Sequence, residues 1–133
     1  MTFDNYLSIM KLLRQEFENL VLAELEALPE AFQNALENIA VTVEDWPDRA
    51  TMREFGVAHR EELFGAYLGT PLPERTSDYG NALPDKICLY QKSLESFCRN
   101  EDELREQVRI TLLHEIGHYF GLDEDRLAEL GYE

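Results

Sequence analysis

The stretch His114-Glu115-Ile116-Gly117-His118-Tyr119-Phe120-Gly121-Leu122-Asp123-Glu124 contains two of the three histidines in a chain of 133 residues, four positions apart. On a helix of 3.6 residues per turn, that spacing stacks both imidazoles on one face, about 40° apart around the axis. Both rings can then reach one ion. Neutral imidazole nitrogens suit zinc, and two ligands one turn apart leave room for a third ligand and for water. Glu115 follows the first histidine and points to the side of such a site. A carboxylate there can take a proton from activated water, so Glu115 is the candidate general base for amide hydrolysis.

Short motifs of this kind also arise by chance on surface helices. Here the helix is expected on independent grounds. Asn100-Glu101-Asp102-Glu103 is patterned as a capping box, with Asn100 bonding the Glu103 amide and the Glu103 carboxylate reaching back. Leu104, Val108, Thr111 and Leu112 carry the apolar stripe to about Phe120, and Gly121 can take the left-handed conformation that ends the helix. A last short helix capped by Asp123 carries Leu127 and Leu130 before Gly131.

Working outward, Leu13, Phe17, Leu20, Val21 and Leu25 recur at helical steps between Asp4 and Leu28, with Thr2 or Asp4 available as cap. Pro29 suits the start of a second short helix, Glu30 to Glu37. Alternation of Ile39, Val41 and Val43 marks a first strand, stopped by Asp45-Trp46-Pro47-Asp48. A short helix around Arg49 to Phe55 precedes a second strand over Leu63 to Gly69. After a turn-rich loop, Lys86 to Lys92 alternates as a third strand. These elements predict an α+β fold in a single domain spanning residues 1–133: a small sheet of three or four strands, a long N-terminal helix and an active-site helix near the C-terminus.

The composition limits the partners. Hydrophobic residues make up 44% and charged residues 29%, the balance of a globular domain. A net charge of -15, from 12 basic and 27 acidic residues, repels phosphate backbones and anionic lipid, so neither nucleic acid nor membrane is an expected partner. The N-terminus lacks a basic start followed by an apolar run, and no stretch of about 18 apolar residues follows, so a cytoplasmic location is expected. Cys88 and Cys98 are then expected as thiols.

From His114 to Tyr132 the sequence resembles the signature of the bacterial minimal zincin-like metallopeptidases, small single-domain zinc proteases. Val41-Thr42-Val43-Glu44-Asp45, Gly69-Thr70-Pro71-Leu72 and Leu83 to Tyr90 are similar to that family's strand and loop segments, so the resemblance covers roughly residues 14–133 and leaves residues 1–13 as an N-terminal helical extension. The resemblance implies a reduced core with one zinc ion (Zn2+) held by His114, His118 and a third acidic ligand just past the glycine turn, and with Glu115 as base. Glu124 has the spacing for that ligand, and a carboxylate oxygen is an acceptable one. Asp123 and Asp125 are competitors, each suited to the start of the last helix. The implied substrate is a peptide or unfolded protein segment, bound as an added strand along the edge formed by the second or third strand.

Other residues rank lower. Tyr79 and Tyr132 could donate a hydrogen bond to an oxyanion, though a loop or core role is the default for each. His59 reads as a surface residue, Tyr119, Phe120 and Trp46 as core, and Arg126 as surface unless it orients a carboxylate of the site. The alternative function is a non-catalytic zinc-binding or protein-interaction domain that keeps the same fold, with Cys88 or Cys98 as a fourth ligand.

Overall fold

The structure, a computed structural model, describes residues 11–69, 71, 73 and 85–132. Strands β1 (Ile39–Glu44), β2 (Gly65–Leu68) and β3 (Asp85–Tyr90) form one sheet in the order β1-β3-β2. β3 is central, parallel to β1 and antiparallel to β2, with Ile87 facing Val41 on one side and Tyr67 on the other. Its sequence explains the position. Ile87 and Leu89 enter the main core, while Cys88 and Tyr90 join Ala66 in a smaller cluster on the other face. A strand buried on both faces belongs in the middle of a sheet. β1 alternates buried or half-buried with exposed residues along its length, as a half-buried edge strand does.

Six α-helices lie among the described residues: α1 (Arg14–Glu26), α2 (Glu30–Ala35), α3 (Arg49–Phe55), α4 (Gln91–Phe97), α5 (Glu101–Tyr119) and α6 (Glu124–Glu129). α5 packs against both α1 and β2. Phe17, Leu20 and Val21 of α1 meet Leu104, Val108, Leu112 and Ile116 of α5 in the main core. Five of those side chains are fully buried, each worth about 1.5–3 kcal/mol relative to exposure. No helix among the described residues is long and apolar enough to cross a membrane.

Several local expectations are corrected. Among the described residues the first helix begins at Arg14, because the backbone just ahead of it is bonded elsewhere: Leu12 N–H donates to the Glu95 carboxylate at 2.8 Å, and the Leu12 carbonyl accepts from the Gln91 side chain at 2.9 Å. The caps considered at Thr2 and Asp4 lie outside the described residues. The second helix tightens into a 3-10 turn over Leu36–Asn38. β2 is shorter than its apolar run. β3 stops at Tyr90, and Gln91 opens α4, an element the alternating pattern hid. Gln91 and Glu95 are both buried one turn apart and hydrogen-bonded at 3.0 Å, so polar residues occupy positions that a pattern search assigns to solvent. At the start of α5, Asn100 accepts from the Glu103 amide at 2.9 Å, but the Glu103 carboxylate bonds the Arg99 amide at 3.0 Å rather than that of the cap residue.

Candidate metal centre

α5 carries His114 and His118 on one face, with ring centroids 4.7 Å apart. After Tyr119 the helix ends and Gly121 turns the chain at φ 83°, while Leu122 N–H donates to the Gly117 carbonyl at 3.0 Å. Left-handed backbone of this kind favours glycine, which has no Cβ to clash. The reversal leads into α6, whose cap is Asp123, accepting from the Arg126 amide at 2.8 Å. α6 then lies directly against α5. Leu127 is fully buried over Gly117, where a Cβ would stand 2.4 Å from its Cδ2.

That docking brings Glu124 to the histidines. Its Oε1 lies 3.1 Å from His118 Nε2 and 3.4 Å from His114 Nε2. Ligands on a tetrahedral zinc, with bonds of about 2.0–2.2 Å, stand roughly 3.3 Å from one another. The donor set therefore fits zinc in type and in spacing. Asp123 is committed to its cap.

The tautomer of His114 is set by the backbone. Its Nδ1 lies 2.7 Å from the Tyr132 carbonyl oxygen. A carbonyl only accepts, so Nδ1 carries the hydrogen and Nε2 presents its lone pair towards Glu124. Burial, and then the neighbouring His114, lower the pKa of His118 and favour its neutral form, the form that ligates.

Glu115 projects from α5 towards β2 instead of joining Glu124. Its Oε1 accepts the Tyr67 N–H at 2.9 Å, and its Oε2 is 3.9 Å from His114 Nε2. Only 6% of the residue is exposed, and this burial pushes its pKa up to about 8; the Tyr67 bond opposes the rise and the Glu124 charge adds to it. His114, Glu115 and His118 also stand together, with one possible ligand atom of each lying within 4.8 Å of the others. Cys88 and Cys98 are buried free thiols and belong to no such group.

Two cavities open onto this centre. One, of about 470 Å³, is lined by His118, Glu115 and Glu124 with Tyr67, Gly69 and Pro71. The other, of about 330 Å³, is lined by His114 and Glu115 with Leu63, Phe64, Gly65 and Phe97.

The remaining candidates are placed elsewhere. Tyr132 packs its ring edge-on against Phe32 at 5.8 Å and reaches the centre through its carbonyl. Tyr79 lies outside the described residues. His59 is exposed, Arg126 pairs with Glu129 at 2.9 Å on the surface, and Trp46 lies under the Arg60 guanidinium at 4.0 Å. Tyr119 is buried beside Tyr67, and Phe120 packs against Phe32. The Tyr67 amide and the Tyr132 carbonyl could not be foreseen from the sequence. Both are backbone groups, so residue type gives no sign of them. The Gly117–Leu127 contact left a faint trace, a glycine between the two histidines.

A family model for zincin-like metallopeptidases matches residues 36–132. The match starts downstream of α1 and α2. No curated protein matches the chain at a significant level.

Proposed function

This chain belongs to the zincin-like metallopeptidase family, and we propose that it hydrolyses peptide bonds with zinc held by His114, His118 and Glu124 and with Glu115 as general base. The observation that carries this is the convergence of Glu124 Oε1 on both imidazole Nε2 atoms while Glu115, buried beside them, is turned away by the Tyr67 amide. Zinc bound there supplies a Lewis acid and lowers the pKa of water from about 16 to about 7.

The protein's own groups do the rest. Tyr132 fixes the His114 ring through Nδ1. The Tyr67 N–H occupies Glu115 Oε1, which leaves Oε2, on the side of the histidines, to accept a proton and then pass it to the departing amine. Burial raises the proton affinity of that carboxylate, and the charge of a bound dication beside it would lower it again and favour the ionised base. Family membership implies peptide substrates. The two cavities flanking Glu115 offer space for chain on either side of it. We take residues 1–133 as one domain, since α1 shares its core with α5.

A zinc-binding domain without turnover is the competing function. Structural zinc sites usually have four protein ligands, often cysteine. Here three converge and both cysteines stand apart. The deciding experiment measures zinc content by elemental analysis, in wild type, Glu115→Gln and His118→Ala, followed by hydrolysis of a quenched-fluorescent peptide mixture. We expect one zinc per chain in wild type and Glu115→Gln, little in His118→Ala, and turnover in wild type alone. Zinc binding with no turnover in any protein would leave the non-catalytic function standing.

A further inference from the structure

We propose that the outer edge of β1, with the groove between it and α1, is a docking site for a partner protein that adds an extended segment of alternating aliphatic and basic residues to the sheet. β1 and β2 are opposite edges with β3 between them, so this surface is separate from the candidate metal centre and stands whether or not peptide is hydrolysed there. The backbone of β1 is turned to receive a strand. Tyr90 N–H donates to the Phe64 carbonyl, so Tyr90, Cys88 and Lys86 direct their backbone groups to β2, and Leu89, Ile87 and Asp85 direct theirs to β1. In the parallel ladder Ile87 stands opposite Val41 and bonds the residues on either side of it, Ala40 and Thr42, which leaves the groups of Ile39, Val41 and Val43 pointing out of the sheet. Two contacts agree with this. Ile39 N–H donates back to the Leu36 carbonyl, and Arg14 Nη1 donates to the Val43 carbonyl at 3.1 Å. Between those two ends the Ile39 carbonyl, both groups of Val41 and the Val43 N–H bond nothing among the described residues.

The flanks of the edge select what covers it. The groove, of about 260 Å³, is lined by Gln15, Glu18, Val21, Leu22 and Leu25 of α1 and by Val41, Thr42 and Val43 of β1. Leu22 is 55% exposed and Val41 and Val43 are half-buried, so an added strand finds apolar contact there for every second side chain. Folded proteins commonly guard an open edge with a lysine, a proline, a bulge or a very short strand. β1 has none of these: it is six residues long, in unbroken register with β3, and its one charge is Glu44 at the end. Charge then chooses the partner. Among the described residues Glu18 is the one ionised side chain lining the groove, and Arg14 at its end is engaged by Asp45 and Gln91. On a chain of net charge -15, basic side chains of an incoming strand are attracted, whereas a second copy would bring like charges together.

The test titrates short blocked peptides into the full chain carrying Glu115→Gln, which removes the proposed base, and follows backbone amide NMR. Three peptides are compared, with alternating valine and lysine, serine and lysine, or valine and glutamate. The valine–lysine peptide should bind at least about 10-fold tighter than either of the others, with shifts centred on Leu22, Val41 and Val43 and slowed hydrogen exchange at the Val41 amide. Val41→Pro removes an outward N–H and no ladder bond, so it should abolish that binding. Leu22→Gln, at an exposed position, should weaken it by on the order of 10-fold with an unchanged thermal midpoint, and it decides the matter alone if Val41→Pro fails to fold. No binding of the valine–lysine peptide, equal binding of the serine–lysine peptide, or shifts confined to residues 65–68 of β2 overturns the docking site. Dimerisation in sedimentation that Leu22→Gln abolishes would make a second copy the occupant. Binding seen only after residues 1–10 are deleted would make it the chain's own N-terminal segment, and either result overturns the partner.

Discussion

Replacing Gly117 with alanine should damage the metal centre more than it damages the fold. In the interior of an exposed helix the change would stabilise by about 1 kcal/mol, the difference in helix propensity. Gly117 is not in such a place. The new Cβ would stand 2.4 Å from Leu127 Cδ2 and 3.6 Å from Leu122 Cδ1, and Leu127 is fully buried, so α6 must shift or Leu127 must leave its rotamer. Overpacking of this sort costs about 1–3 kcal/mol. The net effect on the zinc-free protein is then a loss of between roughly 0 and 2 kcal/mol, measured by urea denaturation. Zinc is affected differently, because α6 carries Glu124, whose Oε1 is 3.1 and 3.4 Å from the two histidines. Disturbing groups that orient a metal ligand typically costs 10- to 100-fold in affinity, and we expect about that loss by competition with a chromogenic chelator. Adding Leu127→Val removes the clashing methyl and should restore much of the zinc affinity despite a poorer core. Wild-type zinc affinity in Gly117→Ala, whatever its stability, would refute the idea that α6 docking sets the third ligand.

Three further outcomes follow from the same geometry. Ending the chain at Gly131 removes the carbonyl that holds His114 Nδ1, so zinc affinity should fall roughly 10- to 100-fold, and an unchanged affinity would show that the ring is held by packing alone. In zinc-free protein, Glu115 has a folded pKa of about 8 against 4.5 for an unperturbed carboxyl, so its protonated form is favoured by folding and stability should drop as pH rises from about 4.5 through about 8. His118, whose pKa is lowered, acts on the other arm by costing stability as pH falls below 6.5, and Glu115→Gln should flatten the upper arm while leaving the lower one. Asn100→Ala should cost about 1 kcal/mol by loss of the α5 cap, with full zinc content retained; a protein that loses its zinc would mean that the cap reaches the site.

What could be foreseen from the sequence follows the range of the interactions involved. The ends of α5 and α6 are written in local chemistry, with Asn100 and Asp123 as caps and Gly121 at positive φ, and all three were legible from residue type and spacing. Three strands in an α+β fold were equally legible, because β1 and β3 both lie in alternating runs bounded by turn residues. α4 was not. Its buried face carries Gln91, Ser93 and Glu95, which are satisfied by Leu12, Arg60 and each other from distant parts of the chain, so no apolar periodicity announces a helix. The unbroken helix expected through Leu12 and Leu13 failed for the same reason, since the Leu12 amide and carbonyl are bonded to α4. At the centre, the spacing placed His114, Glu115 and His118 on one turn of helix. The partners that orient two of them, the Tyr132 carbonyl and the Tyr67 amide, are backbone groups 18 and 48 residues away and have no signature in composition.

Those two partners belong to different parts of the fold, which separates metal binding from catalysis. The proposed metal ligands depend on α5, on the turn at Gly121 and on α6 with the residues just after it; none of those elements lies in the sheet. Glu115 depends on β2, whose position is set by its pairing with β3 and by the close approach of Gly65 to Thr111. Loosening the sheet should therefore free the Glu115 carboxylate from the Tyr67 amide without releasing metal, whereas loosening α6 should release metal and leave Glu115 in place. Gly65→Ala tests the first half of this. Its Cβ would meet Thr111 Cγ2 at 2.7 Å and Leu89 Cδ2 at 3.2 Å, so β2 must move away from α5. The expected protein binds zinc like wild type and turns over peptide at least 10-fold more slowly, since the base has lost its alignment. Parallel losses of zinc and turnover would mean instead that the strand and the metal ligands form one cooperative unit.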